Sequence, residues 1–150
     1  MLKRLHAFAG GLALLLISVF CMSSLTVELS GDPASIAFVK SAILWAMLAL
    51  VPALAATGVS GSALGRGWKS PLVTRKLQRM RIVAANGLLI LLPSAFFLAQ
   101  RANAGNLDGW FYGVQMLEFA AGAVNVTFLG LNMRDGLALA RRRNAPLGAS

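Results

Sequence analysis

Gln115, Glu118, Gly122, Asn125, Leu129 and Asn132 recur at alternating steps of three and four, a spacing that places all six on one face of a helix. Four of the six are polar, and the residues between them are mostly Phe, Ala, Val, Leu and Met. Glu118 is the informative member, because an isolated carboxylate in apolar surroundings is costly unless it is neutral, paired or hydrated. Two chemistries are open to it. It would serve as a proton or cation site, or, with Lys40, as an ion pair that fixes how two helices pack. Gln115, one turn away, is the natural hydrogen-bonding companion.

Other polar residues fall at matching depths. Asn86 and Asn125 are expected as a buried amide pair. Asp135, beside Arg134 and Asn132, is expected to pair with Arg79 or Arg81, an interfacial contact worth about 0 to 1 kcal/mol. His6 is the only histidine, and a solvated position at a membrane edge is expected for it. With Met80 or Met133 it would offer a His/Met set for haem b, whereas a bis-histidine haem within one chain is excluded. Neither a metal-binding Cys/His cluster nor a phosphate-cradling glycine loop is present, and one histidine does not complete a serine-histidine-acid set.

The elements that must hold these groups follow from composition. The chain is 57% hydrophobic and only 13% charged, with a mean hydropathy of +0.71, where a soluble domain carries charge at about a quarter of its positions. Runs 7–27, 41–62, 82–100 and 109–133 lack charge apart from Glu118. Each has about 19 to 25 residues, enough to cross ~30 Å of hydrocarbon. The expectation is an all-α integral membrane protein, an antiparallel bundle of four transmembrane helices over about 6–29, 34–62, 71–101 and 109–140, forming a single domain, 1–150. Gly10 and Gly11 would permit close helix approach, and Pro52 removes one backbone hydrogen bond mid-helix, so a kink or a locally opened carbonyl is expected there. Ser70 followed by Pro71 reads as an N-cap and first helical position. Ser30-Gly31-Asp32-Pro33, Gly105-Asn106 and Asp108-Gly109 read as turns.

The net charge of +9 is explained by topology. Lys3, Arg4, Arg66, Lys69, Arg75, Lys76, Arg79, Arg81, Arg134, Arg141, Arg142 and Arg143 fall on one side of a four-crossing chain, with Trp68 beside them. Glu28, Asp32 and Asp108 fall on the other, with Lys40 and Arg101. This bias predicts both termini in the cytoplasm of a bacterial inner membrane. The partner of the basic collar is then the anionic headgroup layer, and nucleic acid is not called for. Lys3 and Arg4 before an apolar run resemble a signal peptide, but no A-x-A site follows, and the run is read as the first helix. Cys21 is expected as a small core residue.

The layout of four helices and short loops is similar in architecture to small haem-handling membrane proteins of the protoporphyrinogen-oxidase and copper-resistance D types, although no motif of theirs is carried over. The role expected from the residues themselves is non-enzymatic: a small subunit or accessory protein of a membrane complex, with a membrane protein or a second copy as partner. The alternatives are a small transporter or proton-conducting protein using Glu118 and Lys40, and a haem-binding redox protein using His6.

Overall fold

The computed structural model describes residues 1–65 and 71–144, with side chains described as far as residue 138. Arg66, Trp68, Lys69 and the Ser70 cap lie outside the described residues, as do the side chains of Arg141, Arg142 and Arg143. The chain is all-helical, and four of its helices are long and apolar enough to cross a membrane.

The first helix, α1, runs from Leu2 to Ser30 and the second, α2, from Pro33 to Gly65. Gly31, at φ +68°, closes α1 in the left-handed conformation that a Cβ disfavours. Asp32 then caps α2, its carboxylate accepting from the Ser35 amide at 3.0 Å, with Pro33 at the first helical position. Two residues thus reverse the chain, and α1 packs along α2. Their inner faces are small: a Cβ on Gly10 would lie 3.5 Å from Thr57 Cγ2, while Gly11 faces open space. Of the two expected close-approach positions, only Gly10 is one. α2 continues as α-helix through Pro52.

The third span changes character part-way. Helix α3 runs from Pro71 to Asn86, a π-helical turn covers Gly87–Leu91, and α4 follows from Leu92 to Asn103. Pro93 supplies the reason: it has no N–H, and its ring would press on the Leu89 carbonyl in a regular helix. The wider turn, in which the Leu92 amide donates to Gly87 O, relieves that crowding. The sequence reading had this span as one unbroken helix; it is helical throughout but not uniformly α. The last helix, α5, runs from Gly109 to Asn144.

Asp108 caps α5 by accepting from the Phe111 amide at 3.1 Å and also binds Arg101. The Arg101 guanidinium and the backbone amides hold its carboxyl below the usual carboxylate range. A depressed carboxylate contributes stability above its unfolded pKa and loses it as pH falls through the folded value. Protection of the first-turn amides of α5, the exchange rate taken relative to the intrinsic rate at each pH, is therefore expected to fall in acid, and Asp108→Asn is expected to weaken that pH dependence.

α5 packs against α1, α3, the π turn and α4, and α2 packs against α1, α3 and α4. One apolar cluster, around Ala13, Ile17, Ile43, Met47, Leu50, Val83 and Leu129, occupies the middle. A second, of Ile36, Leu98, Ala102 and Phe111, lies toward the 31–32 and 104–108 turns. Large apolar residues such as Phe8, Phe38, Trp45, Leu89, Trp110 and Met116 are exposed, as expected of a surface in contact with lipid.

Candidate functional site

The six-residue face of α5 is buried along its whole length. Its polar members are engaged by α2 at Glu118 and by α3 at Asn125 and Asn132, and together they form three levels between the apolar layers.

The first level is the charged one. Lys40, two turns into α2, has only 1% of its side chain exposed and extends its Nζ to 3.0 Å from Glu118 Oε2. The same ammonium donates to Ser24 Oγ on α1 at 2.9 Å. Gln115 donates through Nε2 to Glu118 Oε2 at 3.1 Å. A second carboxylate completes the group: Glu28 Oε1 lies 3.9 Å from Lys40 Nζ, with 10% of its side chain exposed. The structure therefore brings Lys40, Glu118 and Gln115 together and adds Ser24 and Glu28. Three buried oxygens of this level receive no hydrogen bond, both from the Glu28 carboxyl and the Gln115 carbonyl. Below the charges lies a cavity of about 20 Å³, lined by Glu118, Ser24, Cys21 and apolar residues including Phe20, Met47 and Leu91. Such a volume admits about one water.

Ser24 and Glu28 carry a readable signal. Ile17, Cys21, Ser24 and Glu28 follow steps of four, three and four on α1, the same face that buries Ala13 and Ile17. Because Glu28 stands next to a turn, it reads in the sequence as one of the acids of the outer side, with Asp32 and Asp108.

Gly122 marks a tight contact between α1 and α5, since a Cβ there would lie 2.7 Å from Cys21 Sγ. Cys21 itself is a free, half-buried thiol.

The second level is an amide pair. Asn86 Nδ2 donates to Asn125 Oδ1 at 2.7 Å and to Ala121 O at 2.8 Å, while Asn125 Nδ2 donates to Val83 O at 3.4 Å. Asn125 is fully buried. The pair sits immediately before the π turn, where Gly87 lets α3 approach Leu54 and Asn125. Asn86→Leu and Asn125→Leu are each expected to cost about 1 kcal/mol. Their effects should be less than additive, as a double-mutant cycle in detergent unfolding would show.

The third level closes the end that holds the chain termini. Arg79 NH1 donates to Asp135 Oδ2 at 2.7 Å and to Asn132 Oδ1 at 3.5 Å. Asn132 Nδ2 donates to Lys76 O at 3.3 Å. Arg134 adds a looser contact to Asp135 at 3.5 Å. Of the two arginines considered for Asp135, Arg79 takes the contact and Arg81 is exposed.

His6 departs from expectation. It is half-buried and engaged with α2, where its Nδ1 lies 3.1 Å from Thr57 O and 3.0 Å from Ser60 Oγ. A carbonyl only accepts, so Nδ1 carries the proton. The reason is that α1 begins at Leu2, which turns His6 onto the small-residue stretch of α2; a Cβ on Gly61 would touch its ring at 3.0 Å. Met80 packs against the central apolar cluster and Met133 is 52% exposed. α1 makes no backbone contact with α3 among the described residues, and the structure gives no juxtaposition of these three side chains around one site.

A further recess, an open groove of about 370 Å³ between α2 and α4, is lined by Trp45, Phe96, Ser41 and Asn103 among others and carries no titratable side chain. No protein-family model, curated protein or solved structure matches this chain.

Proposed function

We propose that the protein is a multi-pass protein of a bacterial inner membrane, an antiparallel four-helix bundle with both termini in the cytoplasm. In this reading it acts without catalysis, as a small subunit or accessory protein of a membrane complex. Charge supports the orientation: Lys3, Arg4, Arg75, Lys76, Arg79, Arg81 and Arg134 gather toward one end of the helices, and Glu28, Asp32 and Asp108 toward the other. The basic end then rests on anionic headgroups.

One observation carries the non-enzymatic role. The polar face of α5 is engaged level by level with α2 and α3, and the cavity of about 20 Å³ beside its charges has room for about one water. Groups so engaged are a seam between helices, with no room for an organic substrate. Gentle detergent extraction tests the role. A second polypeptide recovered in fixed stoichiometry is the expected result, and repeated recovery of a lone monomer would overturn it. A visible spectrum of the same haem-replete sample decides the reading in which His6 holds haem, through the presence or absence of a Soret band.

A second reading, proton or ion conduction through Glu118 and Lys40, is favoured by the second carboxylate at Lys40. It requires that Glu118→Gln abolish a flux in vesicles while the protein still folds.

A further inference from the structure

We propose that Glu28, Lys40 and Glu118 form a proton-binding site in which Lys40 and Glu118 are a standing ion pair and the exchangeable proton resides on Glu28. The inference goes beyond the accessory role and holds equally for an accessory subunit or a conducting protein.

Charge balance makes the first part of the case. Two carboxylates share a single ammonium, and all three side chains are about nine-tenths buried or more. The elements packed against α1 are α2 and α5, and the charged groups they turn toward Glu28 are Lys40 and Glu118. With every group ionised the cluster would hold one uncompensated negative charge, which a low-dielectric interior strongly disfavours. A proton restores neutrality without moving a helix: carboxylate plus proton gives the acid, and no other species is needed.

Hydrogen bonding decides where the proton sits. Glu118 Oε2 receives both Lys40 Nζ and Gln115 Nε2, so this carboxyl already holds the cation and a second donor. Neither oxygen of Glu28 receives any, and the ammonium stands off at 3.9 Å. Glu28 is therefore the carboxyl best suited to the neutral form.

An independent observation points to a missing donor. Gln115 is 2% exposed, and its Oε1 is buried without a partner. Because its Nε2 is fixed on Glu118, that oxygen belongs to the same cluster. Three unpartnered acceptors and no unpartnered donor describe a site short of hydrogen. A proton on Glu28 converts one of the three into a donor. Glu28 is also one turn from the Gly31–Asp32 reversal, which gives the proton a short route to water. Toward the middle of the helices the cavity is lined by Ile17, Met47, Leu50 and Leu91, so access is from one end.

Glu28 and Glu118 are the only glutamates in the chain, so a glutamate label reports on this site alone. Protein labelled with ¹³C at the glutamate carboxyl and ¹⁵N at lysine, in liposomes, is expected to give two carboxyl signals in solid-state NMR, one acid and one carboxylate. The carboxylate should show the stronger coupling to lysine nitrogen. In Glu28→Gln the acid signal is expected to disappear and the carboxylate to remain. In Glu118→Gln the remaining Glu28 signal is expected to change to carboxylate, because Lys40 is released to it. Two carboxylate signals throughout the pH range in which the protein stays folded would overturn the proposal, as would stronger lysine coupling at the acid. Persistence of the acid form of Glu28 in Glu118→Gln would overturn the competition for Lys40. The wild-type spectrum is decisive if a variant does not fold.

Discussion

Replacing Lys40 with methionine is expected to lower folding stability by about 3–5 kcal/mol, the range found when one partner of a buried ion pair is removed. The ammonium touches three side chains on two other helices, with Ser24 at 2.9 Å, Glu118 at 3.0 Å and Glu28 at 3.9 Å. Without it Glu118 is left with no cation beside it in the interior, and Ser24 and Glu118 lose a charged donor. Methionine keeps most of the volume of the lysine stem, so the loss reports on charge more than on packing. Lys40→Met/Glu118→Leu is expected to regain most of the stability, because removing both partners leaves no stranded charge. Titration with sodium dodecyl sulfate in mixed micelles measures both variants. Equal stability of Lys40→Met and the wild type would mean that the cluster is hydrated in the membrane and does not join α1, α2 and α5.

The second large effect is expected at Gly122. A Cβ there would stand 2.7 Å from Cys21 Sγ, closer than two such atoms pack. Gly122→Ala must push α1 from α5 or drive Cys21 from its position, and overpacking of this kind costs about 1–3 kcal/mol. The sulfur is the specific obstacle, so Cys21→Ala/Gly122→Ala should be more stable than Gly122→Ala alone. A double-mutant cycle by the same titration measures the coupling. Absence of rescue would show that the constraint lies in the backbone. Cys21 and Gly122 stand one turn from Ser24 and Glu118, so separation here should also lengthen the contacts of the charged level.

Much of this arrangement is legible in the sequence, for reasons that differ by residue. Absence of charge marks the spans, because a bilayer tolerates few ionised groups. Depth marks the partners: Lys40 and Glu118 stand at similar distances from the starts of α2 and α5, and Asn86 with Asn125 and Arg79 with Asp135 at comparable depths on α3 and α5. Glu28 escaped although the expected first helix, 6–29, already contains it, because an acid beside a turn reads as a charge at the membrane edge; its spacing from Ile17, Cys21 and Ser24 is what places it on the buried face. His6 escaped because the expected helix begins at it, whereas starting α1 at Leu2 places it a full turn inside, and helix ends are where sequence patterns are least informative.

The π turn at Gly87–Leu91 sets a rotational register. Val83 and Leu91 are both buried, yet at 3.6 residues per turn their eight-residue separation would leave them about 80° apart around the axis. The wide turn takes up that surplus and returns Ala95, Leu98 and Ala102 to the face that Val83 begins. The segment thus behaves as a single-residue insertion held in the chain. Closing the wide turn into regular α-helix at constant length would rotate everything beyond it by about 100°, carrying Ala95, Leu98 and Ala102 toward lipid and the Arg101 to Asp108 contact out of reach, whereas deleting one residue from it would leave a regular α-helix with those faces kept. The geometry between Asn86 and Pro93 is set by angle, and membrane thickness has little say in it.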